Sequence, residues 1–401
     1  MIVPLIDLAS QQREVSEDVK AGWEKVVSAS AFIGGPAVSE FESAYATATG
    51  VSNCVGLANG TDAIELSLRA LGVSIGDEVI LPANSFVATA EAVSRIGADP
   101  VVVDVDPVHL LMSPERVAEA ITARTKAIIP VHLFGQTAPV ERLLPIADAC
   151  GVPIVEDAAQ AQGARRFGRT AGSLGTVAGT SFYPGKNLGA FGDAGAVTTN
   201  DPDLADRIRM IGAHGSKTKY VHELLGFNSR LDALQAVVLN AKLKRLTGWN
   251  ARRREAANRY DELLSAFPEV VLPRSAEGNE DVWHLYVIRL RERDKVLAAL
   301  HEAGIGAGIH YPAPIHRTPA FTSLAKLGGA CPIAERAATE ILSLPLCPYI
   351  TAEAQEYVVE KLALALRQGR RVKTPRPTRA VLIGRRGREP SAAPEATVFS
   401  K

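Results

Sequence analysis

From Val51 onward, short runs rich in β-branched residues alternate with stretches whose apolar residues recur at helical spacing, and this alternation restricts the chain more than any other feature. Residues 55–58, 79–81, 101–105, 127–131 and 154–156 read as buried strands. Residues 61–71, 88–96, 114–121 and 140–150 read as the helices between them. Strand, helix and strand repeated this often point to an α/β fold with a mostly parallel sheet and helices on both faces. Ligands in such sheets collect beyond the carboxyl ends of the strands, and several of these strands end in Pro, Asp or Asn. The turns after the strands are therefore where a site is expected.

Two longer helical patterns follow, 231–246 and 252–264, with Trp249 near the break. Beyond Pro268 the texture changes. A strand at 282–290, a helix at 293–303, a Gly-rich turn at 304–308 and helices near 333–342 and 352–366 suggest a second, smaller α/β domain. The Gly-rich turn follows a helix and does not match GxGxxG, so it reads as a turn and not a dinucleotide loop. We expect a large domain over 1–248, counting the N-terminal segment with it, a small domain over 249–368, and a disordered basic tail over 369–401.

A length of 401 residues, 47% of them hydrophobic and 22% charged, allows a large core and two domains. Lys+Arg and Asp+Glu are both 44, so a formal net charge of +0 supplies no field to draw the chain to nucleic acid or to a membrane surface. Cys54, Cys150, Cys331 and Cys347 fit neither CxxC nor zinc spacing, which argues against structural disulfides and a metal site and for reduced thiols in a cytoplasm. No apolar run approaches the roughly 18 residues of a membrane-spanning helix, and residues 1–7 lead into a polar segment, so we expect neither export nor membrane insertion.

Three stretches carry groups that can do chemistry. Asn59-Gly60-Thr61-Asp62 closes a strand and opens a helix, where free amides, the helix dipole and the Thr61 hydroxyl would hold a phosphate. On local grounds alone, Thr61 or Asp62 is an ordinary N-cap. Asp157, in Val155-Glu156-Asp157-Ala158-Ala159-Gln160, ends another strand, where a carboxylate could hold a protonated ring nitrogen and Gln160 a ring oxygen. The same placement suits Mg²⁺ or ribose hydroxyls. Lys186 lies in Ser181-Phe182-Tyr183-Pro184-Gly185-Lys186-Asn187 with no other basic residue beside it, and desolvation there would make its amine a nucleophile. A phosphate turn, then an acid at a strand end, then a lysine 29 residues later is the order a pyridoxal phosphate site needs.

The ordered set Phe32-Ile33-Gly34-Gly35-Pro36, Asn59-Gly60-Thr61-Asp62-Ala63, Gly76-Asp77-Glu78-Val79-Ile80, Glu156-Asp157-Ala158-Ala159-Gln160, Lys186-Asn187-Leu188-Gly189 and Gly226-Phe227-Asn228-Ser229-Arg230-Leu231-Asp232 resembles the DegT/DnrJ/EryC1/StrS family of nucleotide-sugar aminotransferases. The resemblance runs from about Pro4 to about Leu366. It implies the fold type I architecture, with a mostly parallel seven-stranded sheet in the large domain. It also implies pyridoxal 5'-phosphate held by Lys186, which would shuttle the substrate proton. Asp157 would pair with the pyridinium nitrogen, Gln160 would contact the ring hydroxyl and Phe86 would stack on the ring. Gly60, Thr61 and Ser181 would bind the phosphate. Asn228 would reach the cofactor phosphate of a neighbouring subunit, which implies a homodimer with shared sites.

The resemblance further places His310 and Tyr311 over the substrate, Tyr183 near the sugar and Lys219 near a substrate phosphate or hydroxyl from the partner subunit. His214 reads as structural. Gln162 departs from the His of many relatives, and Arg317 from the usual apolar residue after His316. The implied reaction passes the amino group of L-glutamate to a nucleotide-linked keto sugar, with details closest to the branch acting on dTDP-3-keto-6-deoxyhexoses. A 4-keto sugar or keto-cyclitol aminotransferase would share every cofactor residue. A regulatory protein that keeps the fold without turnover is the competing class.

Overall fold

The computed structural model of the chain describes residues 1–371. Seven strands build the body of one continuous sheet: β1 (Asn53–Leu57), β2 (Glu78–Pro82), β3 (Asp99–Val103), β4 (Thr125–Ile128), β5 (Val155–Asp157), β6 (Val177–Ser181) and β7 (Gly195–Thr199), and the two-residue strand Lys326–Leu327 adds to it in parallel at the β3 edge. Their spatial order is β1–β7–β6–β5–β4–β2–β3, with β4 and β5 joined by the parallel bridges Ile128 to Ile154 and Val131 to Asp157. Neighbours run parallel except at β7, which lies antiparallel between β1 and β6. Every residue of β2 is buried, as a strand covered on both faces requires.

The helices that cover the sheet are punctuated by their sequence. α1 (Leu8–Ser28), α2 (Pro36–Thr49) and α3 (Gly60–Ala70) are followed by α4 (Ala88–Ser94), α5 (Pro114–Ala120), α6 (Val140–Cys150), α7 (Pro202–Gly212) and α8 (Ala233–Leu243). Pro36, Pro114 and Pro202 open their helices, where a missing N–H is no loss. Gly50 and Gly151 close α2 and α6 in the left-handed region that favours glycine.

A second core forms around β8 (Tyr286–Arg289) and β9 (Ile341–Leu344), an antiparallel pair packed with α10 (Arg293–Glu302) and α12 (Ala352–Arg371). α9 (Leu246–Leu264) runs through both cores. Trp249 near its start packs with α1 and α8, while Ala257, Tyr260 and Leu264 belong to the second core.

Several boundaries differ from the sequence reading. The helical patterns at 231–246 and 252–264 break at Lys244–Arg245, and Trp249 sits inside α9 as a buried anchor. The helix expected to 342 ends at Glu340 (α11, Pro332–Glu340), because Ile341 to Leu344 is taken by cross-strand pairing with β8. Residues 3–5 lie against the second core, whereas α1 packs on α8: Val3 N–H donates to the Gly304 carbonyl at 3.0 Å, and Leu346 N–H donates to the Leu5 carbonyl. α12 continues three residues beyond 368, and the rest of the proposed tail lies outside the described residues. Among the described residues no helix is long and apolar enough to cross a membrane.

Candidate active site

The three chemical stretches converge at the carboxyl ends of β1, β5 and β6. Asn59 is extended and caps α3, its side chain accepting from Asp62 N–H at 2.8 Å. The cap is thus Asn59, and neither Thr61 nor Asp62 fills that role. Because Asn59 satisfies the third amide, the N–H groups of Gly60 and Thr61 are left without intrahelical partners. A Cβ on Gly60 would lie 2.6 Å from Ser181 Cβ, so only glycine lets the helix start approach the end of β6. Gly60, Thr61 and Ser181 therefore share one corner, as expected.

Asp157 ends β5 and is 6% exposed. Its carboxylate accepts from Thr89 Oγ1 at 2.8 Å and from Ala159 N–H at 3.2 Å, and Thr89 in turn meets Ser85 Oγ at 2.7 Å. The adjacent Glu156 points to the opposite face, as strand alternation demands. There it accepts from His132 Nε2 and from the N–H groups of Gly172, Leu174 and Gly175, all at 2.7 Å. That fully satisfied buried carboxylate pins β5, so Asp157 is presented to the crevice on a rigid strand end.

Lys186 lies in the loop between β6 and β7. Protein crowds its amine, and this burial pulls the pKa from 10.5 down to about 8, opposed by the charge of Asp157. Among the described residues its amine makes no hydrogen bond or ion pair. Lys242 on α8 offers a contrast. Burial also lowers its pKa to about 8, yet its amine donates to the Gly189 carbonyl at 2.6 Å and lies 4.8 Å from the Phe191 ring centroid. One amine ties the loop to the core; the other has no such tie among the described residues.

Gln160 is fixed by accepting from Phe134 N–H at 2.7 Å and donating to the Tyr311 hydroxyl at 3.0 Å. Tyr311 tilts over Phe86 with ring centroids 5.3 Å apart, and half of Phe86 stays exposed. His310 bonds Ser343 Oγ through Nδ1 at 2.8 Å, and burial together with Lys186 holds its pKa below the ordinary 6.5. The structure thus gathers Lys186, Asp157, Gln160, Phe86, His310 and Tyr311. His316 and Arg317 are tied to Glu335 instead, at 2.9 and 3.0 Å.

Two expected residues remain outside this group. Asn228 and Lys219 are exposed on the segment between α7 and α8, where Asn228 accepts from Arg230 at 2.8 Å and Lys219 lies over Tyr220. Tyr183 is also exposed. Sequence reasoning gave no role to Thr89, Asn187, Asn250 or His284. For Thr89 the spacing from Ser85, one helical turn, was the available signal; the others meet partners far away in sequence.

The group implied by the resemblance fits what is present. A free, neutralisable amine, a carboxylate on a rigid strand end, an exposed aromatic face and a glycine-cleared corner with free helix amides are the four things pyridoxal phosphate requires.

The model of the DegT/DnrJ/EryC1/StrS aminotransferase family matches residues 13–363. The chain is 46% identical over 362 residues to "Erythromycin biosynthesis sensory transduction protein EryC1" of Saccharopolyspora erythraea, covering 90% of this chain and 99% of that one. It is 44% identical over 348 residues to "dTDP-3-amino-3,4,6-trideoxy-alpha-D-glucose transaminase" of Streptomyces venezuelae, covering 87% and 92%. The solved structure of S. venezuelae DesV in complex with a ketimine intermediate superposes with a TM-score of 0.88 at 42% identity, covering 91% of this chain and 98% of that one.

Proposed function

Because the chain belongs to the DegT/DnrJ/EryC1/StrS aminotransferase family, we propose that it moves the amino group of L-glutamate onto carbon 3 of a dTDP-linked 3-keto-6-deoxyhexose, using pyridoxal 5'-phosphate held at Lys186 in a homodimer with shared sites. The observation that carries this reading is the Lys186 amine, lowered to about 8, unbonded, and facing Asp157 at the end of a parallel strand. Bound pyridoxal phosphate supplies an electron sink for a carbanion.

The protein's part is binding, orientation and proton movement. Near pH 7 to 8 the Lys186 amine exchanges its proton readily, so it can take the α-proton of the donor and return one to the sugar carbon. Asp157, its carboxylate held by Thr89 and Ala159, would keep a ring nitrogen protonated. Gly60, Thr61 and Ser181 would hold the phosphate, Gln160 the ring oxygen, and Phe86 would support the ring face. His310 is neutral at pH 7 and so suits a sugar hydroxyl more than a phosphate, as do Tyr311 and Tyr183. Lys219 is exposed and, among the described residues, has no acid partner, which suits it to a diphosphate.

The dimer is supported by apolar side chains that a single chain leaves open: Tyr220 is 82% and Leu225 97% exposed, on the same segment as Lys219 and Asn228. Amination at carbon 3 is supported by the wording of the Streptomyces relative's name. The Saccharopolyspora relative's name favours a second, regulatory reading, but a protein without turnover has no use for an unbonded amine beside a fixed carboxylate.

The test is a half-reaction. Protein loaded with pyridoxamine phosphate is mixed with dTDP-3-keto, dTDP-4-keto and cyclitol ketones, and the visible spectrum shows which one is aminated. Borohydride reduction of the pyridoxal form should place the label on Lys186. A response to a cyclitol alone would overturn the substrate class, and a protein that cannot be loaded would favour the regulatory reading.

A further inference from the structure

The loop that carries Lys186 is braced from beneath by a buried polar chain to which the reaction assigns no role. Asn187 is 1% exposed, and its Nδ2 donates to Asn250 Oδ1 at 3.0 Å and to the Val282 carbonyl at 2.9 Å. Both amide hydrogens are engaged, so Asn187 Oδ1 can only accept, and it accepts from His284 Nδ1 at 3.2 Å. Nδ1 therefore carries a proton, and because burial and the neighbouring cations hold its pKa well below 6.5, the His284 ring is neutral with its lone pair on Nε2. Asn250 donates onward to the Gln162 carbonyl at 2.9 Å. The Gln162 side chain reaches the Ala159 carbonyl, Thr180 Oγ1 and the Ser181 carbonyl at 3.1, 3.0 and 2.9 Å.

A single run of amides therefore joins the turn after Asp157, the strand end at Ser181, the lysine loop and the segment entering the second core. These four segments set where the amine of Lys186 lies relative to Asp157 and to the phosphate corner. The charged and titratable groups that face the brace favour its neutral form. His284 is faced by Lys186 from the loop, by Arg253 from α9 and by His310 from the opposing loop, and its burial among them holds its pKa well below the ordinary 6.5. Lys186 is faced by Asp157 as well as by the two histidines.

We propose that Asn187 is a positioning residue for Lys186 and that His284, acting through Asn187, is the neutral brace that keeps the amine in its water-poor position during both proton transfers. The proposal rests on Lys186 being the reactive amine. Removing the Asn187 amide would leave Asn250 Oδ1, the Val282 carbonyl and the His284 N–H buried and unpaired, and water would enter to satisfy them. The loop would then loosen and the amine would regain its ordinary basicity.

The experiment uses the full-length protein without cofactor. The rate at which acetic anhydride labels Lys186, read by peptide mass spectrometry between about pH 6 and pH 11, gives the midpoint for loss of its proton. The wild type should titrate near 8, Asn187→Leu about one unit or more higher, His284→Leu in the same direction, and His284→Asn, which keeps a donor, close to wild type. In the loaded enzyme Asn187→Leu should lower kcat by about 100-fold and leave KM within about threefold.

Unchanged midpoints in folded Asn187→Leu and His284→Leu would overturn the proposal. Should Asn187→Leu fail to fold, the two His284 variants decide: equal midpoints for Leu and Asn overturn it, and a shift in Leu alone supports it. A wild-type midpoint near 10.5 would defeat the reading of Lys186 itself, and this inference with it.

Discussion

The loop between β6 and β7 and the segment between α7 and α8 are both assigned to the proposed active site, and they are built in opposite ways. In the first, Lys186 is surrounded by anchored neighbours. Asn187 is held by three partners, Gly189 by Lys242, and Phe191 N–H by Gln235 at 2.8 Å. In the second, Lys219 and Tyr220 form the turn of a short hairpin (Ser216–Thr218 with Val221–His222), Leu225 follows it, and Tyr220 and Leu225 leave apolar surface open. Groups that move protons need fixed geometry, which one chain can supply from its core. Groups that meet the nucleotide can sit on a surface that a second subunit completes.

Variants can break this contrast at either end. The largest effect is expected for Lys186→Ala, which should lower kcat/KM by about 10⁴ or more while the protein still binds pyridoxal phosphate without forming a covalent link. Next is Leu225→Glu, which places a charge on the face assigned to the partner. It should convert dimer to monomer in sedimentation and abolish turnover, with the melting temperature of the monomeric fold nearly unchanged. An active monomer would show that the exposed segment is not shared.

Gly60→Ala sharpens the rigid end. A new Cβ 2.6 Å from Ser181 Cβ must push α3 away from β6 at a cost of about 1–3 kcal/mol, so the Kd for pyridoxal phosphate, read by absorbance titration, should rise about tenfold.

The last effect is on stability and depends on pH. The folded pKa of Lys186 is lowered from 10.5 to about 8, so the unfolded chain binds more protons between those values, and the burden of burying the charge is full below pH 8 and fades as pH rises toward 10.5. Lys186→Met should therefore exceed the wild type in urea resistance at pH 7, by at most about 3 kcal/mol, and lose that advantage near pH 10. An advantage that does not vary with pH would mean the amine is not held out of water.

β1 to β5 were legible because each is a short apolar run, mostly β-branched, between helical patterns, and the strand ends that carry Asn59 and Asp157 follow from that. β7 was not, since nothing in its composition marks a strand that enters antiparallel between β1 and β6. The helix before Ile341 could not be told from the strand after it, because the apolar pattern continues while the pairing partner lies far away at Tyr286. The same reason hid the brace: Asn187 meets Asn250 and His284 at separations of 63 and 97 residues, beyond any local pattern. Motif order revealed which residues belong to the site, and only the fold showed what holds them.

α9 bears on how the enzyme can admit its substrate. An unbroken helix anchored by Trp249 in one core and by Tyr260 in the other works as a shared axle, and Arg253, buried midway, donates to the carbonyls of Trp283 and Leu346. The two lobes cannot swing apart about residue 248 without snapping that axle. Any opening of one lobe against the other would therefore have to bend or unwind α9 itself, because no loose linker lies between the two cores at that point.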